Sequence, residues 1–209
     1  MSLSFNPQSI PSGVERITIL RMRAAAMLLP FAMLLQTSSP GTIALRIRVF
    51  DGADDVTSQT RIVVFKAGDR QAPITAAAGV YDVQAGFYDA QVIREQDGKV
   101  TGIRWAEHLV VEPYPEESGR HLEVVNLQSG YGALEVRSPS GGVPDAALFA
   151  KGSHDSEIAR RIDGDGYALF VVPAGVYDLR VTAGGNKSWH PGIEVPADRT
   201  RFLLVNQPK

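Results

Sequence analysis

The feature that most constrains this chain is an internal duplication. Gln84-Ala85-Gly86-Phe87-Tyr88-Asp89-Ala90-Gln91-Val92 aligns with Pro173-Ala174-Gly175-Val176-Tyr177-Asp178-Leu179-Arg180-Val181. After each copy come a tryptophan (Trp105 or Trp189), an apolar run, a turn at Glu112-Pro113 or Val195-Pro196, and a last run ending in Val125-Asn126 or Val205-Asn206. A chain that repeats a unit of about 80 residues is expected to fold as two like units, and whatever one copy forms the other should form as well.

The unit reads as β-structure. Ile43, Leu45, Ile47 and Val49 alternate with Ala44, Arg46 and Arg48, and a period of two marks a half-buried strand. Runs rich in β-branched and aromatic residues follow at 61–66, 80–83, 88–93, 108–112 and 122–127, then at 133–137, 146–150, 157–162, 167–172, 176–183, 192–195 and 201–205. Asp, Gly, Pro and Ser clusters separate them, and nothing between them carries a helical period. The spacing predicts an all-β chain of two tandem Ig-like β-sandwiches, residues 42–127 and 131–209, with Greek-key connections. The linker at 128–130 is too short for free tumbling, so a rigid or semi-rigid tandem is expected. In each repeat, Gly86 or Gly175 supplies a turn conformation that a Cβ disfavours. The Tyr that follows enters a strand ring-inward, its hydroxyl placed to bond the backbone of the turn, as in a tyrosine corner. Asp89 and Asp178 alternate outward beside it and read as turn or surface residues.

Residues Arg161-Ile162-Asp163-Gly164-Asp165-Gly166-Tyr167-Ala168-Leu169-Phe170, continued by Val172-Pro173-Ala174-Gly175-Val176-Tyr177-Asp178, resemble the carboxypeptidase regulatory-domain-like group of β-sandwiches, also called transthyretin-like or prealbumin-like. That group shows Asp-x-x-Gly before an aromatic strand, then Pro-x-Gly-x-Tyr before an alternating one. The second repeat fits along most of its length. The first matches only in its Gly-x-Tyr-Asp part, with Gln84 in place of the turn proline and no Asp-rich hairpin. The resemblance implies a transthyretin-like sandwich and a binding or spacing role, since such modules are more often accessory, adhesive or carrier pieces than enzymes.

The first 41 residues read as an address. Ala24–Leu35 is an apolar run of 12 with Arg16, Arg21 and Arg23 upstream and Gln36-Thr37-Ser38-Ser39-Pro40-Gly41 downstream, the order of a secretory signal peptide. A spanning helix needs about 20 apolar residues, so no stable membrane insertion is expected once 1–41 is removed. Met22 is a plausible start, and a cut before Thr42 suits the small residues at Ser39 and Gly41. The protein is therefore expected in the periplasm or outside the cell.

Composition closes off several chemistries. There is no cysteine, which excludes disulfides, thiolate nucleophiles and Cys-zinc sites together. The net charge of −2 offers no basic field for nucleic acid. His108, His121, His154 and His190 show no metal-ligand spacing. His154-Asp155 beside Ser153 lacks a nucleophile elbow, and Asp163-Gly164-Asp165-Gly166 fails the EF-hand pattern and reads as a hairpin turn. No catalytic, cofactor or metal site is expected. The candidate binding residues are Trp105, Trp189 and His190, set for stacking on a sugar or anchoring a partner side chain; the alternative is that the tryptophans close the ends of the two cores. The function these readings support is a non-catalytic exported module that binds an envelope protein or a glycan, or acts as a scaffold. The alternative is an exported hydrolase or an enzyme accessory subunit with its site at the domain interface.

Overall fold

The computed structural model describes residues 41–114 and 119–206. The leader read at Ala24–Leu35 lies outside the described residues, and among them no helix is long and apolar enough to cross a membrane. The first half supplies β1 (Thr42–Asp51), β2 (Asp54–Asp55), a 3-10 turn (Thr57–Gln59), β3 (Thr60–Lys66), β4 (Asp69–Ile74), β5 (Val80–Gln84), β6 (Gly86–Gln96), β7 (Lys99–Val111) and β8 (Arg120–Asn126). The second supplies β9 (Tyr131–Arg137), β10 (Asp145–Ala150), β11 (Ile162–Asp163), β12 (Tyr167–Pro173), β13 (Gly175–Ala183), β14 (Asn186–Val195) and β15 (Thr200–Leu204). The chain is an all-β sandwich protein.

Each half builds two sheets with matching connections. In the first, β1 lies between β5, antiparallel, and β8, parallel, while β4-β3-β6-β7 form the facing sheet. In the second, β9 lies between β12, antiparallel, and β15, parallel, opposite β10-β13-β14. Parallel pairing of the first and last strand of each half is reached only by a long excursion of the chain through the other sheet. The alternation read in β1 holds: Ile43, Leu45, Ile47 and Val49 join Val64, Val92, Leu109 and Val111 in one core. Leu134, Val136, Leu148, Ala168, Phe170, Leu179 and Val181 form the other.

A third apolar cluster joins the halves. Phe50, Leu122 and Val124 on the outward face of the first sheet pack with Ala133, Tyr167, Leu169 and Val171 from the outward face of β9 and β12. Burying that many large side chains is worth on the order of 10 kcal/mol, at about 1.5–3 kcal/mol each. Strands β8, β9 and β12 are consequently buried on both faces; β12 is apolar throughout, whereas β8 and β9 carry polar residues in alternation, as a strand with one solvated face would. Within the second half, Gly132 of β9 is required, since a Cβ on it would lie 2.0 Å from the carbonyl oxygen of Pro196.

Three sequence expectations change. Residues 157–162 do not form a strand; they give an isolated bridge, Phe149 to Glu157, and the two-residue β11. Strand β4 was not expected, because Asp69-Arg70-Gln71-Ala72-Pro73-Ile74 is an exposed edge without alternation. Strands β7 and β14 begin well before His108 and Gly192, which places both tryptophans within strands instead of in loops.

Candidate functional site

The duplicated Gly-x-Tyr-Asp segment builds the same device twice. The Tyr88 hydroxyl donates to the Gln84 carbonyl at 2.8 Å, and Tyr177 to that of Pro173 at 2.5 Å. Opposite each Asp the neighbouring strand carries an extra residue: register is interrupted between Tyr88 and Ala90 and between Tyr177 and Leu179. The extra residues are His108, at φ 56°, and Gly192, at φ 70°, the left-handed conformation of a β-bulge. The backbone N–H of His108 donates to Asp89 Oδ1 at 3.0 Å, and that of Gly192 to Asp178 Oδ1 at 2.9 Å. Asp178 Oδ2 also accepts from the Gly152 amide at 2.9 Å.

These aspartates do leave the core side of their strands, as alternation requires, but they are not surface residues. Asp89 is 3 % exposed and Asp178 4 %, because Phe65 and Phe149 lie directly across from them, with Arg70 of β4 over Asp89 and the turn at Gly152 over Asp178. The Gly192 amide, then that of Gly152, holds the Asp178 carboxyl below the usual carboxylate range. Burial opposes ionisation of Asp89, yet the His108 amide and Arg70 prevail and lower its pKa as well.

A tryptophan and a cationic or imidazole group complete each device. Trp105 is opposite Gln91 and packs on Phe65, ring centroids 5.8 Å apart, with the Arg70 guanidinium 4.2 Å from its ring centre. Arg70 also pairs with Asp89, at 3.4 Å, and with Glu107. Trp189 is opposite Arg180 and packs on Phe149 at 5.0 Å, with the His154 ring stacked on it at 3.7 Å. His154 Nε2 lies 3.7 Å from Asp178 Oδ2. That carboxylate already accepts from two backbone amides and so braces the bulge.

Both tryptophans thus sit on outward sheet faces, part-buried, outside all three apolar clusters. They do not close the ends of the cores. Trp105 also lines a cleft of about 280 Å³ with Arg104, Glu107, Asn126 and Arg199. Its face continues along β7 to Ile103 and Val100, 60 % and 56 % exposed, with the Arg61–Glu95 ion pair at its margin. The structure does not bring Trp189 and His190 together: consecutive on a strand, they point to opposite faces, and His190 lies across from the core residue Leu179.

Sequence reasoning missed a polar cluster in the joint between the halves. The Tyr114 hydroxyl donates to Glu135 Oε2 at 2.7 Å, and Arg137 Nε to Glu135 Oε1 at 2.5 Å. The Tyr114 ring stacks on Phe202 at 4.0 Å. His121 Nδ1 meets the Glu112 carbonyl at 2.9 Å and Nε2 meets Glu123 Oε1 at 3.0 Å. Both partners are acceptors, so the doubly protonated imidazolium satisfies them best. Burial works against that charge, but Glu123 outweighs it and the His121 pKa is raised. Burial also raises that of Glu135, against the hydrogen bond from Tyr114 and the charge of Arg137.

Both shifts have the same sign for stability. A group that binds its proton more tightly when folded stabilises fully below its ordinary pKa and loses that contribution as pH rises through the folded value. For Glu135 the loss begins above about 4.3, and for His121 above about 6.5. The thermal midpoint is therefore expected to be higher at pH 5.5 than at pH 8.5, and His121→Gln should flatten the upper part of that slope. A profile that rises steadily from pH 5.5 to 8.5 would contradict this reading of the joint.

No protein-family model and no curated protein matches this chain. Among solved structures, similarity is found to the Bacillus anthracis TIE protein (16 % identity, 80 % of this chain and 34 % of that one, TM-score 0.29). It is also found to a fimbrial protein from Bacteroides ovatus (8 %, 81 % and 51 %, TM-score 0.31) and to the tip fimbrial protein Mfa3 from Porphyromonas gingivalis with a C-terminal truncation (11 %, 80 % and 96 %, TM-score 0.30). The chain matches about a third of the length of the first and half of the second.

Proposed function

We propose that this chain is a non-catalytic, exported binding or scaffolding module, a tandem of two β-sandwich domains of the transthyretin-like kind, 42–127 and 131–209, that contacts an envelope protein or a glycan. The observation that carries this reading is the placement of the tryptophans. The chain has two, and both lie on the outward face of the second sheet of their half, held in one orientation by an aromatic neighbour and by Arg70 or His154. Their indoles add nothing to the two cores. A rigid, part-open aromatic with a polar margin is the usual composition of a binding hot spot. The exposed Ile103 and Val100 extend the first of these faces.

The test is capture from the cell-envelope extract by residues 42–209, comparing wild type with Trp105→Ala plus Trp189→Ala. Thermal midpoints are measured first, and Trp105→Phe plus Trp189→Phe serves as the pair that keeps the packing. The reading expects a specific partner retained by wild type, weakened about tenfold or more in the alanine pair and largely kept by the phenylalanine pair. Equal capture by wild type and a folded alanine pair would move the binding surface away from the tryptophans.

A further inference from the structure

Where the outward face of β1 and β8 meets the second half, the surface opens into a cleft of about 80 Å³ whose lining includes Arg46, Arg120, Arg137, Asp165 and Tyr167. Three guanidinium groups there face one carboxylate, in a chain whose net charge is −2. The concentration follows from the fold. Arg46 and Arg120 lie on the outward side of β1 and β8, and Arg137 pairs across β9 and β12 with Tyr167 on the opposing sheet. Arg48, two residues along β1, directs Nη1 to the Tyr167 hydroxyl at 3.4 Å.

Of the carboxylates nearby, Asp165 is engaged with Arg120 at 3.2 Å, Asp55 with Arg48, and Glu135 with Arg137, while Asp82 of β5 stands across from Ala44 of β1. Arg46 is exposed and makes no ion pair among the described residues. Arg137 is 3 % exposed and fixed in place: Nε is bonded to Glu135, and its guanidinium lies 5.6 Å from the Tyr114 ring centre and 5.3 Å from that of Tyr167. A guanidinium held this way loses little side-chain entropy when it meets a ligand.

We propose that this cleft is a binding site for a small oxyanion group, a carboxylate or a sulfate, held by Arg46 and Arg120 against the fixed guanidinium of Arg137. A water needs about 10–15 Å³ of such cleft space, so the cleft has room for an acid group of a few heavy atoms. Planar guanidinium forks match the oxygen spacing of such groups. The group comes either from an acidic sugar or from a free inorganic anion. The site is separate from the tryptophan faces, and nothing in its chemistry depends on them.

Calorimetric titration at fixed ionic strength tests it, with sodium sulfate, sodium glucuronate and, as the uncharged control, glucose. Arg46→Ala is the main variant, because Arg46 is exposed and outside every apolar cluster; Arg120→Ala is the second. Saturable binding of sulfate and glucuronate is expected, without binding of glucose, and about tenfold weaker in Arg46→Ala, the loss of one charge-assisted hydrogen bond. Glucuronate binding tighter than sulfate identifies an acidic sugar as the source, and equal binding a free anion; either supports the site. Absence of saturable binding for both anions, or unchanged binding in both variants, would overturn it.

Discussion

Arg137→Met is expected to destabilise the protein by about 3–5 kcal/mol, the cost of breaking a buried pair from one side. Glu135, at 0 % exposed, is the partner left behind. It keeps the Tyr114 hydroxyl but loses the cation that offsets its charge, and the two tyrosine rings lose the guanidinium between them. Glu135→Met plus Arg137→Met should recover most of the loss, since an apolar pair of similar volume replaces a buried ion pair at little cost. Urea unfolding of the two variants measures this. A single-variant loss below about 1 kcal/mol, the size of an exposed pair, would mean that water reaches the joint and that Glu135 is not sealed in it.

This prediction concerns the part of the molecule that was least legible beforehand. Period two was enough to locate the β1 core face, and the repeated Gly-x-Tyr segment was enough to place the two tyrosine hydroxyls on their turn carbonyls. Alternation says which side of a strand a residue takes; it does not say what covers that side. Asp89 and Asp178 went outward as expected and were buried anyway beside Phe65 and Phe149, and a bulge in the neighbouring strand turns a backbone amide toward each of them. Glu135 and Arg137 alternate with Leu134 and Val136 as a solvated face would, yet a second sheet lies against that face. The start of β7, Lys99-Val100-Thr101-Gly102, was missed for the opposite reason: it is an exposed edge and carries no apolar pattern.

The tryptophans show the same limit at the candidate site. The duplication identified equivalent positions correctly, since Trp105 and Trp189 lie opposite Gln91 and Arg180, two residues after the repeated Asp. Their partners could not be read, because Arg70 comes from the unexpected strand β4 and His154 from the segment after β10. Residues that reach a site from a separate edge strand or loop leave no periodic signal near it.

The second large effect concerns the joint as a whole. The two halves are expected to behave as one body. The apolar cluster of Phe50, Leu122, Leu169 and Val171 argues for this, as do the Val124 amide on Thr200 Oγ1 at 2.7 Å, Arg199 on the His108 carbonyl at 3.1 Å and the Arg104–Asp198 pair. An interface worth on the order of 10 kcal/mol is as large as the whole stability of an ordinary domain, so neither half should survive the unfolding of the other. Differential scanning calorimetry of residues 42–209 tests this most directly. One transition is expected, with calorimetric and van't Hoff enthalpies equal. Two resolved transitions would contradict the account, leaving two sandwiches that move independently about the linker at 128–130.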